Sequence, residues 1–440
     1  DDNQNYLLGR YRFSITDSDS LGDSTLPSSV QETLRVAPQA RTETQRRILF
    51  RHWATTIDEF AEDNERIEQL WRSFPATDSQ LVVSSMGSPR ETHVMKRGDF
   101  LNLGVRVSPG TPEFMNAMPL SDEPDRLRFA RWLVADDAPT TARVVVNRIW
   151  QSYFGRGIVP TPEDFGFQSE PPSHPGLIDW LAVELMENDW SLKHIHNLIV
   201  NSSTYRQSSR ITEVLADVDP YNQWLARGPR YRVDAEVVRD IALKASGMLS
   251  PQLGGPSVYP PAPGFLFLPP ASYGPKQWIL SEEGQQYRRS LYVQSYRSVP
   301  YPPLQVFDAP KGDAACVRRQ RSNTPLQALV MLNEPQFVEC ARAMAGRVLR
   351  EGGNSDDERL DYAFRLCVSR SCDGEERAIL KGLLDQQRER IAAGHVDLEP
   401  LVGASPALYQ QLTGLQAAEL APWVVVCRAT LNLDETITKP

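Results

Sequence analysis

From residue 124 to its end the chain is a succession of short amphipathic segments whose starts lie close together, and this spacing constrains the fold more than any other feature. "DRLRFARWLV" sets Leu127, Ala130, Arg131 and Leu133 or Val134 at helical intervals, and "TARVVVNRIWQSYF" runs from Thr141 until Gly155 and Gly157 stop it. "SHPGLIDWLAVELMENDW" opens on a Ser173 cap with an apolar face of Ile178, Leu181, Leu185 and Met186. "SLKHIHNLIVNSSTY" opens on Ser191 and should bury Leu192, Ile195 and Ile199. Thr324, Pro325 and Gln327 have the spacing of a capping box with proline at the first helical position, so a helix begins near Pro325. Another runs from about Pro335 to Leu349 behind Asn333, one is capped from Asp356, and the last ends in "WVVVCRATLNLDETITK". Helices this short and this tightly joined cannot make one long bundle. They predict a mainly α fold, a multi-helix orthogonal array over 124–440, interrupted by a Pro- and Gly-rich loop at 251–303.

The first 123 residues read differently. "YLLGRYRFSIT" alternates from Leu8 to Thr16 and predicts a strand within 1–18, with Tyr11, Phe13 and Ile15 on one face. Residues 19–75 form a helical linker, in which Gln45 to Phe74 reads as helical, with Ile48, Trp53, Ile57, Phe60, Ile67 and Leu70 recurring at roughly helical spacing. Residues 76–123 read as an extended connector with short strands around 80–110, "LVVSSM" being the best of them. The opening "DDNQNYLLGR" has neither an initiator methionine nor an apolar leader, which reads as a mature or truncated piece.

Charge narrows the functional classes. The 440 residues hold 56 acids against 47 lysines and arginines, which argues against a nucleic-acid partner, because such proteins use a net basic face. No run of eighteen apolar residues occurs, so no membrane span is expected. The five cysteines, Cys316, Cys340, Cys367, Cys372 and Cys427, include no C-x-x-C pair; Cys367 and Cys372 are expected as buried free thiols, with pairing across a turn as the alternative.

Against that acidic background one group is basic. Arg288, Arg289, Arg297, Lys311, Arg318, Arg319 and Arg321 face only Asp308 and Asp313 in their own stretch, in a chain of net charge −9. Three of these arginines stand just before the positive end of the helix at Pro325, so something negative must lie there. Either they hold an anionic ligand with Asn323, since arginine forks grip carboxylate, sulfate or phosphate, or they close on Asp308, Asp164 or the acidic 356–361 stretch as an internal network. A second candidate is "RETHVMKRGDF": in an extended segment His93, Arg97 and Asp99 project from one face, where a histidine beside a carboxylate suits acid or base chemistry. Asp164, with Glu163, Asp99 and Asp308, is among the loop acids from which a carboxylate pair could come. No G-x-S-x-G motif accompanies these groups. The aromatics of the Pro-rich loop, Tyr273 and Trp278 among them, either stack sugar rings or pin the loop to the core. His194 and His196 are two apart on a helix and cannot share an ion, and no metal site is expected in the chain.

The motifs "RETHVMKRGDF" (90–100), "TARVVVNRIWQSYFGRGIVPTPEDFG" (141–166), "PPSHPGLIDWLAVE" (171–184), "LIVNSSTYRQSS" (198–209), "RRSLYV" (288–293), "VFDAP" (306–310), "RQRSNTPLQALVMLNEPQFVE" (319–339) and "LNLDE" (431–435) cover the chain from about residue 90 to its end. In that order they resemble the C-terminal domain of unknown function of planctomycete cell-surface and cytochrome-linked proteins. The resemblance implies that "GRYRFSIT" is the end strand of a mostly absent β-sandwich, that upstream domains of the same protein are the natural partners, that haem c belongs to those domains with no cofactor in this chain, and that the setting is extracytoplasmic, periplasmic or cell-surface. The function expected is a binding or scaffold module that engages an anionic polysaccharide or docks a redox domain. The alternatives are a polysaccharide-active or redox-linked enzyme using His93, Arg97 and Asp99 with the arginine group, and a purely structural subunit.

Overall fold

The computed structural model describes residues 26–73, 91–118, 123–267, 277–403 and 414–439 of a chain that divides into two units, residues 1–86 and 87–440. The strands expected at Leu8–Thr16 and at "LVVSSM" lie outside the described residues.

In the first unit the described helices are α1 (Ser28–Leu34), α2 (Glu43–Ala54) and α3 (Ala61–Arg72), so the helical stretch expected from Gln45 to Phe74 is divided between two helices. Thr42 starts α2 with a full capping box: its amide donates to Gln45 Oε1 at 2.9 Å and its hydroxyl accepts from the Gln45 amide at 3.3 Å. The break follows from two consecutive β-branched hydroxyl residues. Thr55 and Thr56 turn their hydroxyls back onto the carbonyls of His52 and Trp53 at 2.7 and 2.8 Å, and Asn64 takes the Ala54 carbonyl at 2.9 Å. Phe50, Trp53 and Phe60 meet across the bend, with ring centroids 5.7 to 6.2 Å apart.

The second unit opens on an antiparallel hairpin, β1 (Thr92–Met95) and β2 (Leu103–Val107), in which His93 lies opposite Arg106. Helix α4 (Asp125–Leu133) follows, and it buries Trp132, whose indole N–H donates to the Asn116 carbonyl at 2.6 Å, while Leu127 and Val134 stay exposed. The face expected from spacing is thus overruled by one large side chain with a tertiary acceptor.

Helices α5 (Thr141–Phe154), α6 (Pro175–Glu187) and α7 (Leu192–Asn201) form the first core, with Val146, Trp150, Ile178, Leu181, Leu185, Ile195 and Ile199 buried. Ser191 caps α7 as expected, but Leu192 is exposed. Ser173 does not cap α6; its hydroxyl donates to the Ile158 carbonyl at 3.3 Å and His174 takes the cap position. Gly155 ends α5 in the left-handed region, and buried Asn147 holds the next turn by donating to the Val159 carbonyl at 3.0 Å and accepting from the Val159 amide at 2.9 Å.

After α8 (Glu213–Val218) and β3 (Tyr231–Arg232), the second and larger core is built from α9 (Ala235–Ser246), α10 (Pro302–Val306), α11 (Pro325–Asn333), α12 (Pro335–Glu351), α13 (Asp356–Val368), α14 (Gly374–Ala392), α15 (Leu398–Val402) and α16 (Ala417–Leu431). Helices α12 and α16 sit at its centre, where Met344, Ala345 and Val348 face a core that includes Trp423, Val424 and Cys427, all fully buried. The mainly α fold expected from the sequence is the one observed, with few short strands among the described residues. Two caps shift by one residue. Glu334, not Asn333, accepts from the amides of Gln336 and Phe337, and Ser355, just before Asp356, makes the capping box with Glu358. After α16 the chain returns as β4 (Thr438–Lys439), antiparallel to β3, and Lys439 Nζ donates to the Tyr153 carbonyl at 3.1 Å, tying the second core to the first. Cys340, Cys367, Cys372 and Cys427 are buried free thiols. Among the described residues no helix is long and apolar enough to cross a membrane.

Candidate functional site

The arginines next to Pro325 find their counter-charges within the protein, but not the ones the sequence suggested. Arg319 donates to Glu236 at 2.5 Å and lies 3.9 Å from Asp234; Arg321 lies 3.5 Å from Asp234 and stacks 4.3 Å above the Tyr231 ring; Arg318 reaches Glu163 at 3.1 Å. Burial works against the Arg319 charge, and the hydrogen bond and charge of Glu236, with Asp234, outweigh it and raise its pKa. Asp234 and Glu236 stand at the start of α9, where the helix dipole also favours acids. The expected partners are engaged elsewhere. Asp308 accepts from the Ser322 amide and hydroxyl at 2.8 and 2.6 Å, Asp164 from the Gly166 amide at 2.6 Å, and Asp356 takes Arg388 in a two-pronged pair at 2.6 and 2.9 Å. Arg289 sits 3.6 Å from Asp240. Arg288 is buried, donates to the carbonyls of Gly254 and Pro256, and lies 4.0 Å over Tyr292. The cavity that Arg319 and Arg321 enclose measures about 10 Å³, room for a single water at most. Asn323 is exposed beside it.

The other candidates do not converge. Arg97 is not in an extended run: it stands in a tight turn at φ 53°, ahead of Gly98, so the alternation that would align it with His93 and Asp99 is broken. Asp99 accepts the Leu101 amide at 2.9 Å and closes the same turn. Trp278 stacks between Phe267 (4.9 Å) and Tyr301 (5.6 Å) and donates to the Pro260 carbonyl at 2.7 Å, so it pins the Pro-rich loop to the core; Tyr273 lies outside the described residues. His194 pairs with Glu184 and His196 with the Tyr153 hydroxyl, each at 2.9 Å. Among the described residues no three His, Cys, Asp or Glu side chains gather as metal ligands would.

What the structure does open is a cleft of about 640 Å³ between the end of α5 and the loop after α8, within the size range of small-ligand sites. One wall is Trp150, Phe154 and Arg156 with the Glu170–Ser173 segment, and the other is the loop Asp219–Arg230. That loop is locked by its own polar groups. The buried Asp219 carboxylate accepts the amides of Gln223 (2.7 Å) and Trp224 (2.9 Å); the buried Arg227 donates to the carbonyls of Asp219 and Pro220, both at 2.9 Å; and the Asn222 side chain and Arg227 backbone bond each other twice, at 2.8 and 3.3 Å. Asn222 and Leu225 adopt left-handed φ of 51° and 55°. Gly228 is required where the loop passes the Gln207–Ser209 segment, since a Cβ there would come within 2.5 Å of the Gln207 carbonyl.

The lock leaves Tyr221, Gln223, Trp224 and Arg230 facing outward, and of these Tyr221, Gln223 and Arg230 line the cleft. Tyr221 is 77% exposed, the Gln223 amide makes no side-chain bond to the described residues, and Arg230 is exposed without a carboxylate partner among them. Across the cleft Arg156 is held loosely by Glu170 at 3.3 Å. The site therefore offers one unpaired and one weakly paired guanidinium, an aromatic face and a neutral amide on a rigid frame. None of Arg156, Tyr221, Arg227 or Arg230 stands out in the sequence, although "DPYNQWLARGPR" carries the Asp, Pro, Asn and Gly signals of a structured turn between helices.

Comparison with known proteins adds one finding. The family model described as PSD1, Protein of unknown function (DUF1553), matches residues 125–384, more than half of the chain and both of its cores in large part. No curated protein and no solved structure matches it.

Proposed function

The chain belongs to the PSD1 family (Protein of unknown function, DUF1553), and we propose that it is the binding module of an exported multidomain protein, holding an anionic saccharide in the cleft between Arg156 and Arg230. The observation that carries this reading is the contrast between the two arginine groups. Arg319 and Arg321 are closed onto carboxylates with no room for a ligand, whereas Arg230 is open beside an exposed tyrosine on a self-locked loop. Guanidinium forks suit a uronate or a sulfate ester, and an exposed tyrosine face suits the C–H side of a pyranose ring. The resemblance of the chain's motifs to cytochrome-linked surface proteins supports the extracytoplasmic setting and upstream haem-bearing domains as partners. Enzymatic use of His93, Arg97 and Asp99 has less support, because the turn at Arg97 separates them.

Thermal unfolding of the chain at low ionic strength tests the proposal, with galacturonate, a sulfated disaccharide and neutral cellobiose as ligands. At about a hundred times its dissociation constant a charged sugar should add about 2.7 kcal/mol. Arg230→Ala should abolish the shift while leaving the ligand-free transition in place, since the side chain has no partner to lose. A shift of equal size with cellobiose, or one that survives in Arg230→Ala, refutes the reading.

A further inference from the structure

The cleft does not end at Arg156. Arg156, Gly157, Pro160 and Glu170 also bound a second cavity of about 290 Å³, whose far side is Gln151 and Arg318. Arg318, with Glu163, then bounds a third, shallow depression of about 370 Å³ along residues 310–317. Three hollows that share walls in this way lie side by side, Arg230 lining the first, Arg156 the first and second, and Arg318 the second and third. We infer that they act as one groove that takes a polymer, an anionic polysaccharide laid across all three hollows, rather than a single sugar; the inference rests on the cleft reading above and extends it to chain length.

The chemistry along the groove suits that occupant. Arg156 and Arg318 each rest on one carboxylate at the rim, Glu170 at 3.3 Å and Glu163 at 3.1 Å, in solvent-exposed pairs that hold weakly. A uronate or sulfate on the ligand can replace either carboxylate without leaving a buried charge behind. In the middle hollow Gln151 gives its Nε2 hydrogen to the Val317 carbonyl at 3.2 Å, while its Oε1 is buried with no partner. A polypeptide has less to pair with, since no strand edge lines the groove among the described residues.

The test is titration calorimetry of the whole chain with oligogalacturonates and with sulfated carrageenan oligosaccharides of one, three and six units, and with polyglutamate and oligothymidylate as competitors. The hexamer of at least one series should bind about tenfold or more tightly than its monomer. Arg318→Ala should erase that gain and leave monomer affinity unchanged, and Glu163→Gln, which removes the competing carboxylate, should tighten hexamer binding instead. Equal affinity at all lengths, with Arg230→Ala still abolishing it, overturns the polymer inference and leaves the cleft reading standing. Binding of neither series overturns both, and polyglutamate or oligothymidylate binding as tightly as the hexamer overturns the inference in favour of a polypeptide or nucleic-acid occupant.

Discussion

Replacing Glu334 by glutamine should stabilise the chain at neutral pH and do nothing in acid, and the sign follows from the position of the side chain. Glu334 is half-buried at the start of α12, where its carboxylate accepts from the amides of Gln336 at 2.9 Å and Phe337 at 3.2 Å. Burial pushes its pKa up to about 7; the two amides and the Arg239 guanidinium oppose that rise, and Glu339 adds to it. In the unfolded chain the group titrates near the ordinary value for glutamate, about 4.3. Below that pH it is protonated in both states and has no effect. Between about 4.3 and 7 the unfolded chain releases its proton and the folded chain keeps it, so stability is lost as pH rises and the loss is complete above the folded pKa. At about 1.4 kcal/mol for each tenfold change the full loss is about 4 kcal/mol, and solvent access to the side chain reduces it to about 1–2 kcal/mol. Glutamine keeps an acceptor for the cap and cannot ionise. Urea unfolding of parent and Glu334→Gln from acid to mildly alkaline pH gives a difference in which all other groups cancel. That difference should be flat below about pH 4 and rise by about 1–2 kcal/mol by about pH 8. A difference that is constant, or that falls with pH, would mean that the folded protein holds Glu334 ionised at neutral pH and would refute the argument.

Two further substitutions separate architecture from site. Arg319→Ala strands Glu236 near the start of α9, with Asp234 left to Arg321, and should cost about 1–3 kcal/mol in denaturant unfolding, whereas Arg318→Ala, whose pair is 60% exposed on the arginine side, should change stability by less than about 0.5 kcal/mol; equal losses would contradict the division drawn between them. Gly155→Ala should cost about 2 kcal/mol or more, seen as a lower melting temperature, because the residue sits at φ 78° and an added Cβ would come within 2.8 Å of the Tyr231 ring, which bonds the end of α5 through its hydroxyl; a neutral result would mean that β3 and the Tyr231 ring can retreat from α5.

The sequence makes some of this legible and hides the rest for identifiable reasons. Ile178, Leu181 and Leu185, and Ile195 and Ile199, are buried as their helical spacing says, because each helix has one apolar stripe and one neighbour to receive it. The helix at Pro325 is likewise where its proline places it, with Gln327 reaching back to the Thr324 amide at 3.4 Å. The arginine network was half visible: the need for negative charge could be read from the local sequence, its source could not. Arg319 and Glu236 are 83 positions apart, and no local pattern reports a pairing at that separation. Helix α9, which supplies the acids, does carry a helical rhythm in Ala235, Val238, Ala242 and Ala245, but small residues make that rhythm faint. The hairpin shows the opposite error. Alternation through "KRGD" predicts an extended run, but Gly98 after Arg97 is a turn signal, and turn chemistry overrides a period of two.

The loop from Asp219 to Arg230 shows where the fold accepts a cost that packing does not repay. Leucine in the left-handed region at Leu225 is disfavoured by about 1–2 kcal/mol. Burying the Arg227 guanidinium also carries a desolvation penalty, which its two carbonyl acceptors only partly offset. A loop that merely connects α8 to β3 would use such investments to cover its aromatics. Here the outcome is the reverse: Tyr221 and Trp224 are left 77% and 65% exposed, with Arg230 beside them. Rigid, strained backbone that holds aromatic faces and an unpaired cation out in water is accounted for if those groups meet a ligand, because freezing them before binding removes the ordering entropy that a flexible loop would lose on contact. The same reasoning sets the closed arginine network apart, since its groups meet one another and gain nothing from a partner.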